Sequence, residues 1–128
     1  MTIISEDRIV TGGRDNLVKV TTQSGVLAKS LSDFSSYPTK IINDGNGSII
    51  VGCSNGDLFR YDFTDWSKEE ISISSAQSII SITIEDNGDI LVGTQNGKLH
   101  VIDDSTFTEV EDFARDFGLE CSARLACL

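Results

Sequence analysis

The sequence predicts an all-β chain built from three copies of one four-stranded antiparallel unit. Three observations lead there. First, three segments align without gaps: VTGGRDNLVKVTT from Val10, IVGCSNGDLFRYD from Ile50 and LVGTQNGKLHVID from Leu91. Second, matched positions recur at one spacing. Gly12, Gly52 and Gly93 are 40 and 41 residues apart, as are Val18, Leu58 and Leu99, and Thr22, Asp62 and Asp103. Third, each copy reads as strand, tight turn, strand, with Asp15-Asn16, Asn55-Gly56 or Asn96-Gly97 at the turn. A period of about 40 residues with several short strands per unit is the signature of β-propeller blades.

Each unit divides into strands a to d. Strand a is read at 2–4, 40–42 and 79–84, and strand b at 8–12, 48–52 and 89–93. Asn46-Gly47 and Asn87-Gly88 turn a into b. Strand c follows at 17–21, 58–61 and 99–102. The b–c turns are expected to be two-residue type I′ hairpins, which need positive φ at both central residues. Strand d is placed at 26–31, 69–73 and 108–112, after Ser24-Gly25 in the first unit and a longer loop at 63–68 in the second. The single proline, Pro38, falls just before a strand a, where its missing N–H does no harm. The blades are thus 1–37, 38–77 and 78–112, and 113–128 is a tail or the first strand of a further blade.

Strand b fixes how the units sit together. Ile49-Ile50-Val51 and Ile90-Leu91-Val92 are apolar on consecutive positions. A sheet with one wet face would alternate. Both faces of these strands must be covered, as in blades stacked around an axis; a small two-sheet sandwich is the other arrangement that covers them.

VTGGRDNLVKV resembles the b–c core of a WD-repeat blade, and LVGTQNGKLHVID equally resembles the looser repeats of quinoprotein-type propellers. The resemblance covers residues 1–112. Departures are visible. Thr21-Thr22, Tyr61-Asp62 and Ile102-Asp103 stand where that family has Trp-Asp, and no Gly-His precedes a strand a. The family's buried network through that histidine cannot form here. The resemblance implies a non-catalytic scaffold for protein–protein interaction. The implied contact surface is the rim where the b–c turns lie, at Arg14, Asp15, Ser54, Asn55, Gln95 and Asn96. The alternative is a piece of a propeller enzyme or ligand-binding propeller whose active residues lie outside this chain.

Three blades do not close a ring, since propellers have four to eight. One expectation is therefore a fragment of a longer propeller. Another is an open stack completed by a second copy, giving a homodimer of six blades. A third is a short helix at 113–118, with Phe113 and Phe117 at i, i+4, over the open end. Residues 120–128 alternate enough to be strand a of a fourth unit.

Composition narrows the partners. Twenty acidic against ten basic residues give a net charge of −10. Nucleic acid and anionic membranes need a basic face, so neither is expected. No apolar run approaches the roughly 18 residues of a membrane span. No leader pattern opens the chain, and Cys53, Cys121 and Cys127 match no zinc spacing. Free thiols in the cytoplasm are expected, and Asn46-Gly47-Ser48 is read as a turn rather than a glycosylation site.

No constellation for catalysis, metal or cofactor emerges. His100, the single histidine, stands where the other units have Lys19 and Phe59. Gly45-Asn46-Gly47 runs into a strand, not a helix as a phosphate loop requires. Glu85-Asp86-Asn87-Gly88-Asp89 does not fill the positions of a calcium loop. Phe63 and Trp66, and likewise Phe34 and Tyr37, are expected to pack on the blades, with an exposed hot spot as the competing reading.

Overall fold

The computed structural model describes residues 2–5, 8–73, 77–109 and 115–116. They form three antiparallel sheets. The first runs β1 (Thr2–Ser5), β2 (Arg8–Gly12), β3 (Val18–Thr22), β4 (Leu27–Leu31). The second runs β5 (Pro38–Asn43), β6 (Ser48–Cys53), β7 (Asp57–Asp62), β8 (Lys68–Ser72). The third runs β9 (Ile79–Ile84), β10 (Ile90–Thr94), β11 (Lys98–Asp103), β12 (Thr108–Glu109), and β13 (Arg115–Asp116) also pairs with β11. Neighbouring strands are consecutive in the chain, so each sheet is an up-and-down meander, one blade.

Three sheets rule out the two-sheet sandwich. Several bounds move by a residue or two, for local reasons. Pro38 begins β5 instead of preceding it. Strand β8 starts at Lys68 because the Asp62 N–H already bonds the Ser67 carbonyl at 3.0 Å. The b–c hairpins are not type I′. Each has a single residue at positive φ, Asn16 at 62°, Gly56 at 92° and Gly97 at 82°. Loops 54–56 and 95–97 hold three residues, and the Gly56 N–H closes onto the Cys53 carbonyl at 3.2 Å, the alternative built on a type I turn. A helix over 113–118 is excluded at Arg115–Asp116, which pair as a strand with Lys98 and Leu99. The remainder of that span, and the strand read at 120–128, lie outside the described residues.

Side-chain alternation shows how the blades meet. In β6 and β7, Ile49 pairs with Tyr61 and Val51 with Phe59. These four face the first blade and join Val10, Val18, Val20 and Leu31 in one buried cluster. Ile50 and Leu58, on the opposite face, join Ile79, Ile82, Ile90 and Ile102 in a second. The consecutive apolar run of β6 is thus divided between two interfaces. Phe34 meets Phe59 edge-on at 4.9 Å and packs in the first cluster. The Tyr61 hydroxyl donates to Asp33 Oδ2 at 3.0 Å, and burial, reinforced by that contact, raises its pKa.

The repeated glycine marks where these interfaces are closest. A Cβ on Gly12 would lie 2.8 Å from Pro38 Cγ, and one on Gly52 only 2.6 Å from Ile79 Cγ2. Each glycine lies at or next to the end of a strand b, where strand a of the next blade crosses it. Thr39 bridges the same crossing, donating from Oγ1 to the carbonyls of Gly52 and Ile79.

The c–d turns repeat a second device. Asp62 Oδ1 accepts the Thr64 N–H at 2.8 Å and its hydroxyl at 2.6 Å. Asp103 Oδ1 accepts the Ser105 N–H and hydroxyl, at 2.9 and 2.8 Å, and the Thr106 N–H at 3.1 Å. Each turn ends on an aromatic residue at positive φ, Trp66 at 59° and Phe107 at 50°. Trp66, with Phe63, packs against the first cluster, and Phe107 lies inside the second. Each aromatic reaches back to the preceding blade. The first unit has Val26 at this position, 62% exposed.

Gly52→Ala should destabilise the fold by about 1–3 kcal/mol through overpacking, read as a lower urea midpoint. Adding Ile79→Val should recover part of the loss, and a neutral Gly52→Ala would contradict the crossing. The hydroxyl and amide donors hold the Asp62 and Asp103 carboxyls below their ordinary value of 3.8. Their extra stabilisation is present above that value and lost as pH falls through the lower folded values. Thermal midpoints recorded from pH 7 to pH 2 should therefore fall less for Asp62→Ala than for wild type.

Candidate partner-binding rim

The b–c turns of all three blades lie on one rim. Strand b of each blade ends beside the start of the next strand a, as the glycine crossings show, so neighbouring sheets run in the same sense. The blade-to-blade connections return to this rim and brace the turns. The Ser54 N–H donates to the Tyr37 carbonyl at 3.0 Å, the Gln95 N–H to the Ser78 carbonyl at 2.9 Å, and the Ile73 N–H to the Gly56 carbonyl at 3.1 Å.

Arg14, Asp15, Asn55, Gln95 and Asn96 are exposed, and Ser54 is half-buried. The Arg14 guanidinium lies 4.8 Å above the Tyr37 ring. Tyr37 therefore touches the first turn through its ring and the second through its carbonyl, which joins Arg14 to Ser54. Asp15 Oδ1 turns back to accept the Leu17 N–H at 3.2 Å. Asn55 is largely engaged. Its N–H donates to Ser36 Oγ at 3.2 Å, and its Nδ2 donates to Ser35 Oγ at 3.2 Å and Asp57 Oδ2 at 3.0 Å. Asn96 accepts a short hydrogen bond from the Thr94 hydroxyl. Arg14 and Gln95 present the freest side-chain ends.

Sequence reasoning missed Asp57, the hub of the central turn. Its Oδ1 accepts the Ser72 hydroxyl at 2.7 Å and its Oδ2 the Ser35 hydroxyl at 3.2 Å. It thereby ties the turn to both neighbouring connections. The available signal was a carboxylate where the other units carry Leu17 and Lys98.

The opposite rim holds a polar recess of about 450 Å³ between the second and third blades, with Arg60 in its wall beside Asp44, Asp62, Glu69 and Asp104. Arg60 was also missed. Its side chain is 12% exposed and fully engaged. Nη2 and Nε reach Glu69 Oε1 at 2.7 and 2.9 Å, Nη1 reaches Asp104 Oδ1 at 2.9 Å, and the guanidinium covers the Phe107 ring at 4.8 Å. It staples blade to blade where Val20 and Val101 stand in the other units. His100 points between the second and third blades, buried, with Nδ1 2.8 Å from Glu109 Oε2. A substrate has no path to it in this packing. Among the described residues no group of three or more His, Cys, Asp or Glu side chains is arranged to hold a metal ion.

No protein-family model matches the sequence, and no curated protein matches it. Among solved structures the chain is similar to the WD40 domain of coronin from Toxoplasma gondii, with a TM-score of 0.74 and 13% sequence identity over 83% of this chain. The chain spans 30% of the length of that chain. At this identity the likeness establishes the fold, and the three antiparallel sheets are blades of part of a WD40-type β-propeller.

Proposed function

We propose that the chain is a non-catalytic interaction scaffold that docks a protein partner on the rim of its b–c turns. One observation carries the proposal: three equivalent turns, braced by backbone bonds and by Asp57, hold Arg14, Asp15, Asn55, Gln95 and Asn96 exposed along one edge. A surface held rigid before binding loses little entropy when a partner docks. The acidic balance favours a protein over nucleic acid. Cys53 is a free, buried thiol, which fits a reducing compartment, and we place the chain in the cytoplasm.

Closure of six blades by a second copy has less support. It would set the first blade's free face, with Thr11, Lys19 and Thr21, against the third blade's Leu91, Leu99 and Val101. The lysine would lose water without a described partner.

Proximity labelling in cells tests the rim. Arg14→Glu/Gln95→Lys/Asn96→Lys should weaken capture of the labelled partner by about tenfold or more, whereas Gln23→Lys/Asp86→Lys, on the opposite rim, should not. Loss only with the second pair would place the contact on the wrong edge. Asp57→Ala should cost about 1 kcal/mol of stability and weaken the same capture, and Asp57→Asn should retain part of both.

A further inference from the structure

Four Asn-Gly pairs punctuate the turns, Asn46-Gly47, Asn55-Gly56, Asn87-Gly88 and Asn96-Gly97. Asparagine is a chemically labile residue. It is most labile before glycine, where no Cβ hinders the following backbone nitrogen. That nitrogen attacks the side-chain Cγ and closes a five-membered imide. The side-chain nitrogen leaves as ammonia, with the proton that the glycine nitrogen gives up. Water then opens the ring at either carbonyl and leaves aspartate or isoaspartate. Two groups must be free for this: the glycine N–H, which supplies the nucleophile, and the asparagine amide, which it attacks.

Three of the pairs are tied at both groups. The Gly56 N–H donates to the Cys53 carbonyl at 3.2 Å, the Gly88 N–H to the Glu85 carbonyl at 2.9 Å and the Gly97 N–H to the Thr94 carbonyl at 3.0 Å. Asn55 Oδ1 accepts the Asp57 N–H at 3.1 Å while its Nδ2 donates to Ser35 and Asp57. Asn87 Oδ1 accepts the Asp89 N–H at 3.0 Å, and its Nδ2 donates to Asp89 Oδ2 at 3.2 Å. Asn96 Oδ1 accepts the Thr94 hydroxyl.

The pair in the a–b turn of the second blade is built differently. Asp44 Oδ1 accepts the Asn46 N–H at 2.7 Å and the Ser48 N–H at 3.0 Å. The Asp44 N–H closes the turn onto the Ser48 carbonyl at 3.0 Å. These bonds pass over Gly47. Among the described residues the Gly47 N–H has no acceptor and the Asn46 side chain no hydrogen-bond partner. Asn46 is exposed. It stands between Gly45 and Gly47, at φ 79° and 95°, where an added Cβ would meet nothing within 4 Å. At Gly88, in the same turn of the third blade, a Cβ would lie 3.1 Å from Asp104 Oδ2.

We propose that Asn46 is a modification site, converted by water to aspartate and isoaspartate in the folded chain ahead of the other three. The new carboxylate joins the wall of the recess that holds Asp44, Asp62, Glu69 and Asp104. Isoaspartate also lengthens the backbone by a methylene beside Gly47. The Gly47 carbonyl accepts the Phe63 N–H at 3.1 Å, so the change reaches the c–d turn. The site lies on the rim opposite the b–c turns and does not depend on docking there.

Incubation of the full, folded chain at mildly alkaline pH, in water enriched in heavy oxygen, tests it. Peptide fragmentation in a mass spectrometer reads each site, and the isotope excludes product formed during digestion. Asn46 should convert at least about tenfold faster than Asn55, Asn87 or Asn96, each of which must first break its hydrogen bonds. In urea the four rates should draw together. Equal rates at the four sites of the folded chain, or a faster site other than Asn46, overturn the proposal. A preference for Asn46 that persists undiminished in urea overturns it too, since the cause is then local sequence and not the fold.

Discussion

The structure depends on one contact, the crossing of a strand a over the glycine near the end of the preceding strand b. Side chains of the next blade press on the glycine there and leave no room for a Cβ, with Ile79 filling the space above Gly52 and Pro38 that above Gly12. Most of the buried apolar side chains among the described residues lie in two clusters beside these crossings. The two buried clusters are the interfaces they seal, and the Thr39 hydroxyl lies within hydrogen-bond reach of the Gly52 and Ile79 carbonyls. A propeller blade has no closed core of its own, so its stability resides in the face it shares with a neighbour. Here that face is set by residues of opposite parity on one strand, Ile49 and Val51 on one side, Ile50 and Gly52 on the other.

Much of this was legible in the sequence. The repeat of Gly12, Gly52 and Gly93 located the strands to within a residue or two, because strand, turn and glycine recur together. The run Ile49-Ile50-Val51 announced burial on both faces, since its period matches neither a half-wet strand nor a helix. The hairpin type was misjudged because Asn-Gly also suits a three-residue loop, in which only the glycine adopts positive φ. The helix expected at 113–118 is contradicted at Arg115 and Asp116, which find backbone partners on the edge of β11, and its other residues lie outside the described ones.

The polar staples were harder to read. Arg60 and Asp57 act through partners distant in sequence, Asp104, Glu69, Ser72 and Ser35, and nothing at their own positions in the repeat foretells those partners. Trp66 was expected to pack on the blade and does, but its equivalence with Phe107 was hidden for a different reason. They share one place in the repeat, but one is tryptophan and one phenylalanine, and the first unit has valine there. Their common role shows only in the turn geometry, where an aspartate gathers the amides and the aromatic swings back over the neighbouring blade. The predicted rim residues lie on one edge, and the geometry separates Asn55, bound into its own turn, from Arg14 and Gln95, whose ends are freer.

The three sheets stack through their glycine crossings. Nuclear Overhauser contacts in isotopically labelled protein read this directly. Cross-peaks are expected from the Gly52 α-protons to the Ile79 methyl groups and from the Gly12 α-protons to the Pro38 ring, alongside the strand pairings within each sheet. Strand pairings within the sheets without either cross-peak would contradict it.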